Sequence, residues 1–111
     1  LQYRRSLKGL ILLMDIRHPL KDYDRQMIEW AAVSEMPVHI LLTKCDKLKR
    51  GPAKTALLGV KKELKAHERW TSVQLFSSHN HEGMDELQRT LNWWLTLPED
   101  DVAAIEDDLA D

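Results

Sequence analysis

Three short apolar segments separated by longer amphipathic ones constrain the fold of this chain more than any other feature of its sequence. LKGLILLMDI (7–16) and PVHILLTK (37–44) are apolar almost throughout and too short for typical helices, which predicts strands that are covered on both faces. TSVQLFS (71–77) alternates between apolar and polar residues and predicts a third strand.

An amphipathic segment with the spacing of an α-helix follows each predicted strand. The predicted helices run from Asp22 or Asp24 to about Glu35, from Ala53 to about Arg69, and from Met84 to Trp94. Strands that alternate with helices pair in parallel through crossover connections. We therefore expect an α/β fold of three parallel strands and three helices, arranged in three layers, α/β/α.

In parallel sheets of this kind, ligands bind beyond the carboxyl ends of the strands. Asp15 follows the first apolar segment, TKCD (43–46) follows the second, and Ser77 and Ser78 follow the third. We therefore expect these three groups of residues to share one rim of the sheet.

The pair Lys44 and Asp46 suits recognition of a guanine base. A carboxylate only accepts hydrogen bonds, and guanine offers two adjacent donors, N1–H and the 2-amino group. Adenine offers an acceptor and a C–H group there, so it would leave Asp46 unpaired. Lys44 can lay its aliphatic stem over the base, and the Thr43 hydroxyl can tie the loop back. The alternative is an exposed Lys-x-Asp turn that begins a helix.

The segment FSSHNHEGMDEL after the third strand adds a complementary donor. A backbone N–H of Ser78 or His79 could donate to guanine O6, an atom that adenine replaces with an amino group. The alternative is a serine-rich turn that caps the last helix.

Composition limits the class of protein. The 111 residues suffice for one domain, and 43% hydrophobic with 31% charged residues is typical of a globular chain. No apolar run approaches the roughly 18 residues of a membrane span. The single Cys45 cannot form an internal disulfide, which fits a reducing, cytosolic setting. His79 and His81 share one loop without further patterned ligands, so no metal site is expected.

Charge is distributed unevenly. Residues 99–111 hold seven acidic and no basic residues, which leaves 16 basic against 11 acidic residues in the rest of the chain. A basic body is compatible with an RNA-rich partner. Charge blocks can also be merely solvated, and we expect residues 98–111 to form a disordered acidic tail.

The sequence resembles the carboxyl-terminal half of a translation-factor-type GTPase domain, and more narrowly the EngB (YihA/YsxC) family of bacterial ribosome-assembly GTPases of the TRAFAC class. The segments that carry the resemblance are LKGLILLMDIRHPLKDYDRQMIEW, HILLTKCDKL and FSSHNHEGMDEL, which occur in the expected order over nearly all of residues 3–95. The resemblance implies that residues 1–97 form the second half of a P-loop GTPase domain.

By the same resemblance, one group of residues would hold the guanine of GTP or GDP and a second group would close over it. These groups are Thr43, Lys44 and Asp46, and Ser77, Ser78 and His79. Thr43 agrees with this family but differs from the asparagine of most GTPases. His79 lies where many GTPases have lysine or leucine.

The chain has no phosphate-binding G-x-x-x-x-G-K-[ST] motif and no switch motifs, which also hold Mg²⁺ in such proteins. In the family these motifs precede the segment that corresponds to Leu1. We therefore expect a fragment without catalytic or metal-binding residues, inactive alone, whose first strand would be an exposed apolar edge.

The resemblance also implies a role in assembly of the large ribosomal subunit and in normal cell division and septation. It implies a cytoplasmic protein that contacts the large subunit or its rRNA, without membrane or DNA partners. A different class of function is also open: an α/β interaction module that binds no nucleotide and docks RNA or protein through its basic face.

Overall fold

A computed structural model describes residues 7–96 and 101–106. They form a parallel four-stranded sheet with the order β3-β2-β1-β4. The strands are β1 (Leu7–Asp15), β2 (Val38–Thr43), β3 (Thr71–Leu75) and β4 (Asp101–Glu106). The helices are α1 (Asp22–Val33), α2 (Arg50–Glu63) and α3 (Met84–Leu95), with short 3₁₀ turns at Cys45–Lys47 and Lys65–His67.

The first three strands alternate with the three helices and all pair in parallel, which confirms the predicted α/β fold. Helix α1 ends earlier than predicted, because Glu35 adopts a left-handed conformation with φ of 55°. Helix α2 begins and ends earlier than predicted, and the chain continues after it as a 3₁₀ turn, which is common at helix ends.

Alternation of side chains along the strands creates a core on each face of the sheet. The larger core contains Leu12, Ile40 and Leu42 of the sheet together with Ile28 of α1 and Val60 of α2. On the opposite face, Ile11 and Leu41 pack with Trp94 of α3. Helices therefore cover both faces, and the three layers follow the predicted order.

Strand β4 lies within the segment that we predicted as a disordered tail, so the structure differs from the prediction for residues 101–106. Its sequence DVAAIE contains four consecutive apolar residues, and it pairs with β1 from Leu7↔Asp101 to Leu13↔Glu106. An unpaired β1 would expose a row of backbone donors and acceptors, which a fourth strand satisfies. Strand β1 is therefore internal, and the remainder of the predicted tail lies outside the described residues.

None of the helices within the described ranges combines the length and the apolar character needed to cross a bilayer.

Candidate functional site

The carboxyl ends of β1, β2 and β3 meet at one rim, as expected for parallel strands. In the sheet register, Asp15 lies opposite Thr43, and Leu42 lies opposite Leu75. The Cys45 N–H donates to the carbonyl oxygen of Phe76 at 3.1 Å. This main-chain bond ties the segment after β2 to the segment after β3, so the two loops have a defined relative position.

A pocket of about 620 Å³ opens at this rim. All six residues of the predicted base-binding groups line it, namely Thr43, Lys44, Asp46, Ser77, Ser78 and His79. Leu13, Arg17, Lys47 and Phe76 complete the lining. The structure thus brings together residues that are more than 30 positions apart in sequence.

Asp46 is held by a hydroxyl from the neighbouring strand end. The Ser77 Oγ donates to Asp46 Oδ1 at 2.7 Å, and Ser77 is fully buried. This hydrogen bond is the main reason why the pKa of Asp46 lies below its usual value, with smaller contributions from other groups that include His79 and Lys47. Asp46 is therefore a fixed, ionised acceptor, and a carboxylate retains lone pairs for further donors after accepting one bond.

Asp15 lies beneath the rim and interacts with two cations. Its buried carboxylate accepts hydrogen bonds from Arg17 Nε at 2.9 Å and from an Arg17 terminal nitrogen at 2.6 Å. Lys44 Nζ lies 3.6 Å from Asp15 Oδ2. The side-chain bond from Arg17 is the largest cause of a pKa for Asp15 well below the usual range. Asp15 thereby holds both Arg17 and Lys44 at the pocket.

The backbone at Lys44 has an unusual conformation, and a side-chain hydrogen bond fixes the residue before it. Lys44 adopts a left-handed conformation with φ of 60°, and the Thr43 Oγ1 donates to the carbonyl oxygen of Met14 at 3.1 Å. The Thr43 bond joins the end of β2 to β1, which is the tie that the sequence led us to expect.

The loop of residues 77–82 is closed by its own hydrogen bonds. The Ser77 N–H donates to the Glu82 carbonyl oxygen at 3.0 Å, and the Glu82 N–H donates to Asn80 Oδ1 at 3.0 Å. Ser78 and His79 are exposed within this loop and line the pocket. Their role as main-chain donors to a base stays a prediction.

Cys45 lies next to the pocket but has the properties of a structural cysteine. It is buried, and its Sγ donates to Glu82 Oε1 at 3.4 Å. Burial is the main cause that raises the pKa of the Cys45 thiol to about 11, followed by the Glu82 contact. Because the thiolate is the nucleophile, this thiol is unsuited to nucleophilic catalysis at neutral pH.

Sequence reasoning missed several side chains that support the site. Arg17 lies two residues after Asp15, and this Asp-x-Arg spacing at a strand end was the available signal. His39 and Gln74 contact each other beneath the loop at 2.6 Å, although they are 35 positions apart. No local pattern in the sequence indicates the contact between His39 and Gln74.

Within residues 7–96, no three His, Cys, Asp or Glu side chains come together as ligands for a metal ion. The described arrangement suits hydrogen bonding to a planar polar ligand, with a carboxylate acceptor and cationic side chains around one opening.

No protein-family model matches the chain. The chain is similar to curated bacterial proteins with the name "Probable GTP-binding protein EngB". The protein of Aromatoleum aromaticum is 50% identical over 105 residues, which cover 95% of this chain and 49% of the relative. That of an Azoarcus species is 53% identical over 96 residues, covering 86% of this chain and 46% of the relative. The protein of Acinetobacter baylyi is 58% identical over 85 residues, which cover 77% of this chain and 36% of the relative.

The chain spans less than half of the length of these relatives, while the aligned region covers most of the chain. This is consistent with the resemblance to the carboxyl-terminal half of the family's GTPase domain. The fold, the pocket at the strand ends and an identity of 50–58% agree with one another. The chain therefore belongs to the EngB family of GTP-binding proteins.

Proposed function

We propose that this chain recognises the base of a guanine nucleotide and forms the guanine-recognising half of an EngB-type GTPase. The observation that carries the proposal is the contact between Asp46 and Ser77. It holds an ionised carboxylate beside Ser78 and His79, which line the same pocket.

The chemistry of this pocket favours guanine over adenine. Asp46 accepts hydrogen bonds from guanine N1–H and the 2-amino group, while a main-chain N–H of Ser78 or His79 donates to O6. Adenine presents neither the two donors nor the acceptor, so both protein groups would stay unpaired. Sites that depend on such pairing can reject the wrong ligand by about four orders of magnitude. Lys44 and Thr43 hold the base and the loop in place.

GTP and GDP are the proposed ligands, and hydrolysis belongs to the whole protein rather than to these residues. Phosphoryl transfer needs a phosphate-binding loop, and Mg²⁺ supplies charge neutralisation at the phosphates when it is bound. These 111 residues contain no such loop. The described side chains also offer no cluster that fits a metal ion. We therefore assign base recognition to this chain and no step at the phosphates.

The proposed partner is the RNA of the large ribosomal subunit. Residues 47–62 contain six lysine or arginine residues and no acidic residue. Arg50, Lys54, Lys61 and Lys62 are exposed on α2. Glu63 is the acidic residue of this helix, and it lies 3.5 Å from Arg25 at the α1 side. A helix surface with this charge is complementary to a phosphate backbone.

We further propose, on the family resemblance, that the whole protein acts in the cytoplasm in assembly of the large ribosomal subunit, and that normal cell division and septation depend on it. The names of the relatives state GTP binding and no cellular role. The cellular role is therefore tested separately, by depletion of the gene product followed by analysis of ribosomal particles in sucrose gradients.

A titration of the chain with GDP and with ADP tests base recognition, and NMR detects the binding. The ligand concentration must be high, because this chain lacks the contacts to the phosphates. We expect selective shifts with GDP in the wild-type chain and loss of that selectivity in Asp46→Ala. Asp85→Ala is the matched control, since Asp85 is an exposed carboxylate in the first turn of α3 outside the pocket. A folded wild-type chain that responds equally to both nucleotides would favour the interaction module instead.

RNA binding is tested with a fluorescein-labelled RNA hairpin over a range of KCl concentrations. Lys54→Gln and Lys61→Gln should each weaken binding and reduce the slope of log affinity against log salt by about one. Arg89→Gln removes one charge from α3 and should leave the slope unchanged. Equal effects of all three substitutions would contradict a specific role of α2.

A further inference from the structure

Polar side chains on the α3 face of the sheet form one connected set, in which His39 and Gln74 are buried and Ser72 is exposed. His39 and Gln74 lie on the neighbouring strands β2 and β3, and each is only 2% exposed. His39 Nε2 lies 2.6 Å from Gln74 Oε1, and His39 Nδ1 lies 2.6 Å from Ser72 Oγ. Burial of polar groups is unfavourable unless they are hydrogen-bonded. Apolar side chains could fill this space without that requirement, so the set calls for an explanation.

The hydrogen bonds of this set have one direction. Gln74 Nε2 donates to the carbonyl oxygens of Leu75 at 3.0 Å and of Gly83 at 2.8 Å. Two carbonyl acceptors fix the amide orientation, so Gln74 Oε1 faces His39 and the Nε2 of His39 carries the proton. In the neutral imidazole, Nδ1 then accepts from the Ser72 hydroxyl. Ser72, His39 and Gln74 thus form a chain of donors that ends on the Gly83 carbonyl.

Gly83 provides a second and independent observation at the same place. It adopts φ of 86°, and a Cβ atom there would lie 2.2 Å from the Leu75 carbonyl oxygen and 2.6 Å from Gln74 Nε2. The backbone therefore approaches β3 so closely that no side chain fits. This is the point at which loop 77–82 returns to the sheet before α3 begins.

The position of Gly83 affects the pocket through the loop. The Ser77 N–H bonds to the carbonyl oxygen of Glu82, the residue next to Gly83, and the loop between them carries Ser78 and His79. Hydrogen bonds weaken steeply beyond about 3.2 Å and with poor angles. A small displacement of Gly83 would therefore move the main-chain donors away from the base edge that Asp46 recognises.

We propose that Gln74, oriented by His39, is a positioning residue that holds loop 77–82 over the bound base and so contributes to guanine selectivity. Neither side chain lines the pocket, so both act through the loop. The inference rests on the proposed function for its effect on selectivity, whereas the placement of the loop can be measured without any nucleotide.

The test compares Gln74→Leu and Gln74→Glu with a control, Ile28→Ala, which destabilises the core on the opposite face of the sheet. Amide protection of Ser77 and of residues 78–83 is measured by hydrogen exchange, corrected for intrinsic rates. Guanine selectivity is measured with GDP and ADP as probes. All measurements are made well below the melting temperature of each variant.

We expect loss of loop protection in both Gln74 variants and a fall in guanine selectivity of about three- to tenfold, the range for one lost hydrogen bond. Gln74→Glu keeps the shape of the side chain and an acceptor for the His39 Nε2–H, but an ionised carboxylate cannot donate to the carbonyl oxygens of Leu75 and Gly83. Loop protection should therefore fall in Gln74→Glu at neutral pH as it does in Gln74→Leu. If Gln74 only filled space, Gln74→Glu would keep the loop protection of the wild type.

Unchanged loop protection in both Gln74 variants, or an equal loss in Ile28→Ala, would overturn the positioning role. Loss of loop protection with unchanged selectivity, in a wild-type chain that selects guanine, would overturn its link to the base. If the wild-type chain itself shows no selectivity, the proposed function fails, and hydrogen exchange still decides whether Gln74 holds the loop.

Discussion

The hydroxyl of Ser77 donates a hydrogen bond of 2.7 Å to the carboxylate of Asp46, across the gap between the ends of two neighbouring strands. The contact joins the proposed acceptor of the candidate base site to the loop that carries its proposed donors. Pocket geometry and the protonation state of Asp46 therefore depend on the same interaction.

Ser77→Ala should weaken guanine binding because Asp46 loses the partner that orients it. The hydrogen bond from Ser77 holds the Asp46 carboxylate in place at the pocket, so GDP affinity should fall when it is removed. The pKa of Asp46 should rise towards its ordinary value, which NMR detection of the carboxyl carbon measures. Ser78→Ala is the control, since it keeps the backbone N–H; an equal loss in that variant would argue against the role of Ser77.

Because of Asp15, the free energy of unfolding should depend on pH in the acidic range. The folded-state pKa of Asp15 lies below the unfolded value of about 3.9, mainly because of the Arg17 hydrogen bond. The stabilisation is therefore present above about pH 4 and is lost as the pH falls through the lower, folded-state pKa. We expect Asp15→Asn to melt at a lower temperature than the wild type at neutral pH, and the difference to shrink in acid. A difference independent of pH would contradict the ion pair.

Two glycines should respond in opposite directions to alanine. At Gly83 the new Cβ would meet the Leu75 carbonyl oxygen at 2.2 Å in a left-handed conformation, so Gly83→Ala should destabilise the fold by about 2 kcal/mol or more. At Gly59 in α2, nothing lies within 4 Å of the new Cβ, so Gly59→Ala should stabilise by about 0.5–1 kcal/mol. Denaturant unfolding of both variants gives the comparison; destabilisation by Gly59→Ala would show a contact that the structure does not contain.

Cys45 should react slowly with iodoacetamide at neutral pH while the chain is folded. Burial raises its pKa to about 11, so very little thiolate exists near pH 7. Alkylation followed by mass spectrometry should show rapid modification in denaturant and slow modification without it. Rapid reaction of the folded chain would mean that the loop around Cys45 opens readily.

The purified chain should not hydrolyse GTP, because catalysis of phosphoryl transfer depends on groups that surround the phosphates. Its sequence contains no phosphate-binding loop motif. Phosphate release from GTP with Mg²⁺ is the measurement, and the variant Asp46→Ala distinguishes a contaminating enzyme. Magnesium-dependent turnover that disappears in this variant would contradict the prediction.

The pattern of segments determined the α/β class and the parallel pairing of three strands, because burial on both faces leaves a continuous apolar run in the first two strands and strands that alternate with helices pair in parallel. The same reasoning predicted a ligand site at the strand ends, and the six residues chosen from the sequence line one pocket there. Both predictions depend on rules that act within a segment or at its end. These local rules did not predict strand β4, because its four apolar residues lie inside an acidic segment.

The contacts that connect the residues of the candidate site arise only in three dimensions. Ser77 and Asp46 are 31 positions apart, and His39 and Gln74 are 35 apart. Each of these polar residues is compatible by itself with a loop or a strand. Their partners are set by the register of the sheet, since a shift of one residue would turn every side chain to the opposite face. The sequence therefore specified which residues reach the rim, and the tertiary structure decided which of them bond to one another.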